Sequence, residues 1–398
     1  MLTTRPTRSR IRHPRRHLTF DALEARIVFD VSLHYPDYGF PDSDRLQING
    51  TDGNDSVTVD IDARDPLTTY DDVVRVRNHG RVVGTKSIWF SSIAGWHVIQ
   101  MDKLEFVGKK GNDTFTVLGS LDVTNTETIY VTAYGGPGND TLKGSNEGDR
   151  LFGDEGNDTI FGRGDTGVID HRETLRGGPG DDTIYGQGGY DYIYGDEGDD
   201  TLYGGTERDH IEGGLGKDVL YGDSGEDYLY GDSETPFQPL GGNDKLFGGE
   251  GGDFMYGGAG HDRLEGEGGG DYLYGDREHF ISNFGNDTLI GGHGDDTLQG
   301  SDGADDLDGG TGYQGPIGAS YVDVGINNIW GGKGNDVLKG GAGRDAMWGE
   351  EGSDSLRGGP GNDALDGGEQ SDAIYGGPGD DEIFGRGGND LLEGNEDN

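Results

Sequence analysis

The chain has 398 residues, of which 81 are Gly and none is Cys; only 30% are hydrophobic, and the formal net charge is −45. So polar a composition cannot offset chain entropy by apolar burial alone, and no three-residue period makes it collagen-like, so order has to come from a repeat held by something else. The negative charge excludes general nucleic-acid binding and suits a cation binder, while the lack of Cys removes disulfides and thiolate metal sites.

The first 30 residues form a basic leader with seven Arg against three acidic side chains. No apolar core follows Arg8, Arg10, Arg12, Arg15 and Arg16, so the leader is not a standard secretory signal peptide. No run anywhere reaches the roughly 18 apolar residues of a membrane span. The leader reads as a disordered basic arm. Its segment FDALEARIVFD (20–30) resembles the LEPR-XLL motif at the N-termini of large bacterial surface and repeat proteins. Leu23, Glu24 and Arg26 match; Ala25 replaces the Pro, and Val28–Phe29 replace the paired leucines. A short amphipathic helix is the alternative reading.

Residues 31–134 are β-rich, with apolar alternation over 46–61, 73–83 and 103–121. Two loops there, 50–57 and 108–115, resemble the repeat that follows and bring Asp55 and Asp113 forward as candidate ligands. The region reads either as longer coils of the same solenoid or as a cap over its first open edge.

From Gly135 the chain reads GGPGNDTLK, GSNEGDRLF, GDEGNDTIF, and it closes on GGPGDDEIF and GRGGNDLLE. Twenty-five units fill 135–393, and four of them, 162–176, 231–247, 275–290 and 309–330, are longer than nine residues by 6, 8, 7 and 13. Position eight is aliphatic or Met in every unit, and position six is Asp in all but two, Glu173 and Asn327. A short strand centred on position eight buries that side chain and turns its neighbours outward. One buried aliphatic per unit cannot sustain a fold, so the units must stack. Two units make one coil, which places units eighteen residues apart on the same side. The Gly-rich first six positions supply the turn, where φ > 0 is needed.

Stacking brings position-six carboxylates together, and without a counterion they oppose folding. Carboxylates and backbone carbonyls, with no His or Cys beside them, make an all-oxygen site that suits Ca²⁺ better than Mg²⁺. A merely solvated acidic face has no need of Asp at one fixed position. The candidate ligands are Asp140, Asp149, Asp158, Asp182, Asp191, Asp200, Asp209, Asp218, Asp227, Asp244, Asp253 and Asp262, then Asp271, Asp287, Asp296, Asp305, Asp336, Asp345, Asp354, Asp363, Asp372, Asp381 and Asp390.

These units resemble the RTX (repeats-in-toxin, hemolysin-type) nonapeptide GGxGxDxUx over 259 of the 398 residues. The resemblance implies an all-β, right-handed parallel β-roll. It also implies roughly one Ca²⁺ per unit, held between successive loops by position-six Asp and loop carbonyls. Glu173 and Asn327 depart from the pattern, which puts their rungs in question, and the four extensions are points where the ion ladder can be interrupted.

Position nine carries Tyr185, Tyr203, Tyr221 and Phe247 on one side, and Tyr230, Tyr256, Tyr274, Trp330 and Trp348 on the other. Such stripes either stack on sugars or a partner, or stabilise the sheet as ladders, and the ladder reading is preferred. No HExxH motif, nucleophile elbow or P-loop is present, and Arg163-Gly164-Asp165 falls at the start of a unit. The sequence therefore predicts a non-enzymatic, calcium-binding bacterial protein, extracellular or at the cell surface, with a structural or adhesive role and calcium-dependent folding. Cell-surface polysaccharide or another surface protein is the expected partner beyond calcium. A polysaccharide-modifying enzyme and an export module carrying these repeats are the rival readings.

Overall fold

The computed structural model describes residues 103–118, 130–145, 148–163, 172–233, 241–276, 285–310 and 325–394, and, before them, strands between His17 and Val98 with Gly53 and Asn54. Asp55, Gly164–Asp165 and 20–27 of the LEPR-XLL-like segment lie outside the described residues.

Within the described residues there is no helix; two 17-stranded sheets face each other, and consecutive strands of the array alternate between them. In the array every pairing is parallel and in register at position eight, for example Leu202 with Leu220 and Ile193 with Ile211. Regular rungs are eighteen residues apart. Across the extensions Ile160 pairs with Ile184, Leu220 with Leu246, Leu264 with Leu289, and Leu298 with Ile329. Each insertion is thus absorbed outside the ladder, and the register resumes at the next strand.

The reason lies in the core. Position-eight side chains from Leu142 to Ile374 are fully buried and form one continuous file between the sheets. Each contributes about 1.5–3 kcal/mol through burial, and a one-residue slip would turn all of them outward. At the last rungs Ile383 is only partly buried and Leu392 is 47% exposed, since no further described coil stacks on them. In the loops, positive φ recurs at positions two and four, held by Gly136 and Gly138 in one unit and by Gly178 and Gly180 in another. Non-Gly residues take the same conformation at Asp154, Gln187 and Asp196.

The stack extends N-terminal to the array. Arg45–Asn49 pairs in parallel with Lys103–Val107, which pairs with Tyr130–Tyr134; Ser56–Asp62 pairs in parallel with Thr114–Leu118. On the outer side of each sheet the pairing turns antiparallel. Val28–Val31 lies beside Arg45–Asn49, and Asp72–Asn78 beside Ser56–Asp62. An antiparallel strand ends a parallel stack without offering a matching coil to another chain. Val28–Val31 and His17–Thr19 are strands inside the stretch for which the sequence predicts a disordered arm or a helix. Their backbone pairing sets Leu18 opposite Phe29 and Phe29 opposite Ile48, a register that local composition does not disclose.

The position-nine aromatics form ladders. Phe161, Tyr185, Tyr203, Tyr221 and Phe247 stack at centroid spacings of 4.8–5.0 Å; on the other sheet Tyr230, Tyr256 and Tyr274 stack at 5.2 and 4.8 Å, and Trp330 on Trp348 at 4.7 Å. A further file at position seven, Tyr228–Phe254–Tyr272 at 5.0 and 4.7 Å, is absent from the sequence-based expectation. Arg163 of the Arg-Gly-Asp stretch is anchored, its guanidinium donating to the Val117 carbonyl at 2.7 Å.

Candidate metal centre

Position six ends the loop just before the strand, so the strand fixes its backbone while its side chain turns back beneath the loop. Stacking arranges these side chains in two rows. One runs from Asp113 and Asp140 through Asp158, Asp182, Asp200, Asp218, Asp244, Asp262, Asp287, Asp305, Asp336, Asp354 and Asp372 to Asp390. The other contains Asp149, Glu173, Asp191, Asp209, Asp227, Asp253, Asp271, Asp296, Asn327, Asp345, Asp363 and Asp381. Along each row, Oδ1 of one coil accepts the position-six N–H of the preceding coil, as in Asp200 N–H to Asp218 Oδ1 at 2.8 Å.

The second carboxylate oxygen is what calls for a cation. At twenty-two position-six carboxylates, Glu173 included, it is buried without a hydrogen-bond partner. It points at the first Gly of its own unit, where the first carbonyl of the next coil also arrives. A Cβ on Gly213 would lie 2.5 Å from both Asp218 Oδ2 and the Gly231 carbonyl oxygen; on Gly186 it would lie 2.5 Å from Asp191 Oδ2 and from the Gly204 carbonyl oxygen. Only Gly leaves room for oxygens to converge there. A native interior tolerates few unmet polar atoms, and a file of them needs a physical partner. Carboxylate plus carbonyl, repeated with no nitrogen or sulfur donor, is the donor set of a hard cation of Ca²⁺ type.

Electrostatics points the same way. Burial lifts the Asp218 carboxyl to about 8, against the N–H it receives from Asp200 and with help from neighbouring charges. Burial and then the Asp191 charge lift Asp209 to about 9; burial and Asp262 do the same for Asp244. Strand spacing of about 4.8 Å puts each adjacent pair of charges at roughly 3–4 kcal/mol of repulsion for an effective dielectric of 20. Divalent cations held by these carboxylates would convert that repulsion into attraction.

Four rungs depart from the regular pattern. Glu173, one methylene longer, still brings its Oε2 to the face of Gly162 beside the Gly186 carbonyl, so this rung keeps its carboxylate. Asn327 does something different. Its Oδ1 accepts the Asp296 N–H at 3.1 Å, while its Nδ2 donates to the Gly340 carbonyl at 2.9 Å. The amide donates directly to the carbonyl that elsewhere faces a carboxylate, so this rung is closed without a cation. Asp149 is also satisfied internally, by the N–H of Ser145 at 2.5 Å and its hydroxyl at 3.0 Å. Asp390 has no described coil beyond it to bring a carbonyl. Asp113, from the loop before the array, sits at the head of the first row, 1% exposed.

One ladder escaped the sequence reading. Position-five side chains accept the position-five N–H of the next coil, as in Asn139 N–H to Asn112 Oδ1 at 3.1 Å and Asp199 N–H to Asp181 Oδ1 at 3.0 Å. The frequent Asn-Asp and Asp-Asp pairs at positions five and six were its visible signal.

Fold and rungs together define a calcium-binding parallel β-roll. A family model for the RTX calcium-binding nonapeptide repeat matches at eight places, 134–169, 170–202, 203–235, 240–277, 281–313, 321–356, 347–374 and 357–392. The chain belongs to the RTX calcium-binding repeat family. No curated protein matches it.

Proposed function

We propose that the protein is a non-enzymatic structural or adhesive component, secreted or held at the bacterial cell surface, whose roll folds only when calcium fills the loops at about one ion per carboxylate rung. The observation that carries this reading is the double file of buried, unpartnered carboxylate oxygens facing backbone carbonyls. Binding to the native state alone makes the ion part of the folding free energy. Extracellular calcium modules have dissociation constants of about 10⁻⁴–10⁻³ M, so the roll stays unfolded at low cytosolic calcium and folds outside. The partly exposed edges of the aromatic ladders are the surface assigned to cell-surface polysaccharide or a neighbouring surface protein. Calcium titration followed by circular dichroism and ion counting tests the core of this reading. β-Structure and bound ions should rise together, and full β-structure in excess EGTA would overturn it.

A further inference from the structure

The two extended units of the first row share a feature that regular units lack. In regular units an Asp at position two, such as Asp154 or Asp223, has left-handed backbone with φ of 72° and 70° and is exposed. In the units 231–247 and 275–290 the position-two residues, Asp232 and Asp276, lie outside that region and are 9% and 4% exposed. The extension begins just after them and frees the backbone from the regular turn, so the carboxylate folds under the loop.

The hydrogen bonding is the same twice, but position three, Gly241 in the first unit, is Phe284 in the second. Asp232 accepts the N–H of Gly242, position four of its own loop, and of Ala259, position three of the next coil, at 2.5 Å. Asp276 accepts from Gly285 and from Asp302, the corresponding positions, the latter at 3.3 Å. In a regular loop the position-four N–H goes to the position-three carbonyl of the next coil, as Gly138 N–H does to Glu155 at 2.7 Å. Gly242 instead gives its N–H to Asp232. The Ala259 carbonyl oxygen and both Asp232 carboxylate oxygens then converge on the open face of Gly241, where a Cβ would collide with all three. Asp232 Oδ1 is buried there without a hydrogen-bond partner. Asp232 and Asp276 also lie close to the first row, since after burial their charges contribute to raising Asp262, and Asp232 does so for Asp244.

We propose that Asp232 nucleates an additional divalent-cation site, with Ca²⁺ as the chemical match, beside the regular rung of Asp244. The extension at 231–247 is then a reinforced point of the roll. This rests on the calcium reading of the rows. It predicts one site beyond those of the position-six rows, held by an oxygen-only set of the Asp232 carboxylate and the Ala259 carbonyl next to a second carboxylate.

Native mass spectrometry on the full chain at saturating calcium resolves individual ions. Asp232→Asn should bind one ion fewer than wild type, while Asp154→Asn keeps the wild-type number. An unchanged count in the folded D232N protein overturns the proposal and leaves the rows standing. If wild type binds no calcium, the underlying reading itself is wrong. Should the variants not fold, wild-type crystals grown in calcium decide the matter. Anomalous density beside the Asp232 carboxylate supports the site, whereas density along the rows but none there overturns it.

Discussion

Asn327→Asp turns the neutral rung into one like its neighbours, and its effect on stability should reverse sign with calcium. Without the ion, the substitution removes the Nδ2–H to Gly340 bond of 2.9 Å and leaves that buried carbonyl facing a carboxylate. An unmet buried polar group costs about 1–3 kcal/mol. The new charge also joins Asp296 and Asp345, whose backbone or side chain already contacts Asn327 at 3.1 and 2.9 Å, adding roughly 3–4 kcal/mol of repulsion for each neighbour at strand spacing. With the ion, a new site with a dissociation constant near 10⁻⁴ M stabilises by about 2.7 kcal/mol at 10 mM calcium, relieves the repulsion, and replaces the lost bond. Thermal melts of wild type and N327D at calcium from about 0.1 to 10 mM measure this directly. The variant should melt lower at the bottom of the range, by several degrees at about 2–4 °C per kcal/mol, and converge on or pass wild type at the top. Its Tm should climb more steeply with log calcium, reflecting one more bound ion. Equal slopes would refute the assignment of Asn327 as a cation-free rung.

Three further outcomes follow from the same geometry. In chelator, the folded-state carboxyls of Asp182, Asp218 and Asp262 stand at about 8 against 3.8 for the free group, so their contribution to apo stability is present below about pH 4 and lost as pH rises toward 8. Circular dichroism in EDTA should therefore show more β-structure at pH 5 than at pH 8, and the opposite trend would contradict the buried-carboxylate account. Gly213→Ala places a methyl 2.5 Å from Asp218 Oδ2 and Gly231 O, and should cost one bound ion and more than about 2 kcal/mol, read by ion counting and a shifted calcium midpoint. Tyr203→Ala removes two stacked pairs at 4.8 Å and should cost about 1–3 kcal/mol, with faster amide exchange local to Thr183–Tyr221 and no change in ion number.

Position eight and position six were legible in the sequence because each does one job in every coil: one fills the core and the other faces the next loop. That constancy carried the register correctly through all four extensions, down to the pairing of Leu298 with Ile329 across the longest of them. What stayed hidden depends on contacts between coils. The sequence put the Asn327 rung in question, and only the Gly340 carbonyl opposite it shows how the amide completes that rung. Asp232 looked like any other position-two Asp, although its backbone conformation sets it apart from Asp154. The Tyr228–Phe254–Tyr272 file was missed because the eight-residue extension between its first two members obscures it unless position seven is followed as closely as position nine.

The parallel ladders have a mechanical consequence. Hydrogen bonds between strands run along the axis of the roll, so a pull from end to end loads the coils in series and the weakest rung yields first. Each opened coil releases about eighteen residues, more where an extension lies, and exposes a fresh face like the one before it. Ions held by the carboxylate rungs would add to the strength of each step. Under such a pull the roll would give way in instalments, and bound calcium would raise the yield force.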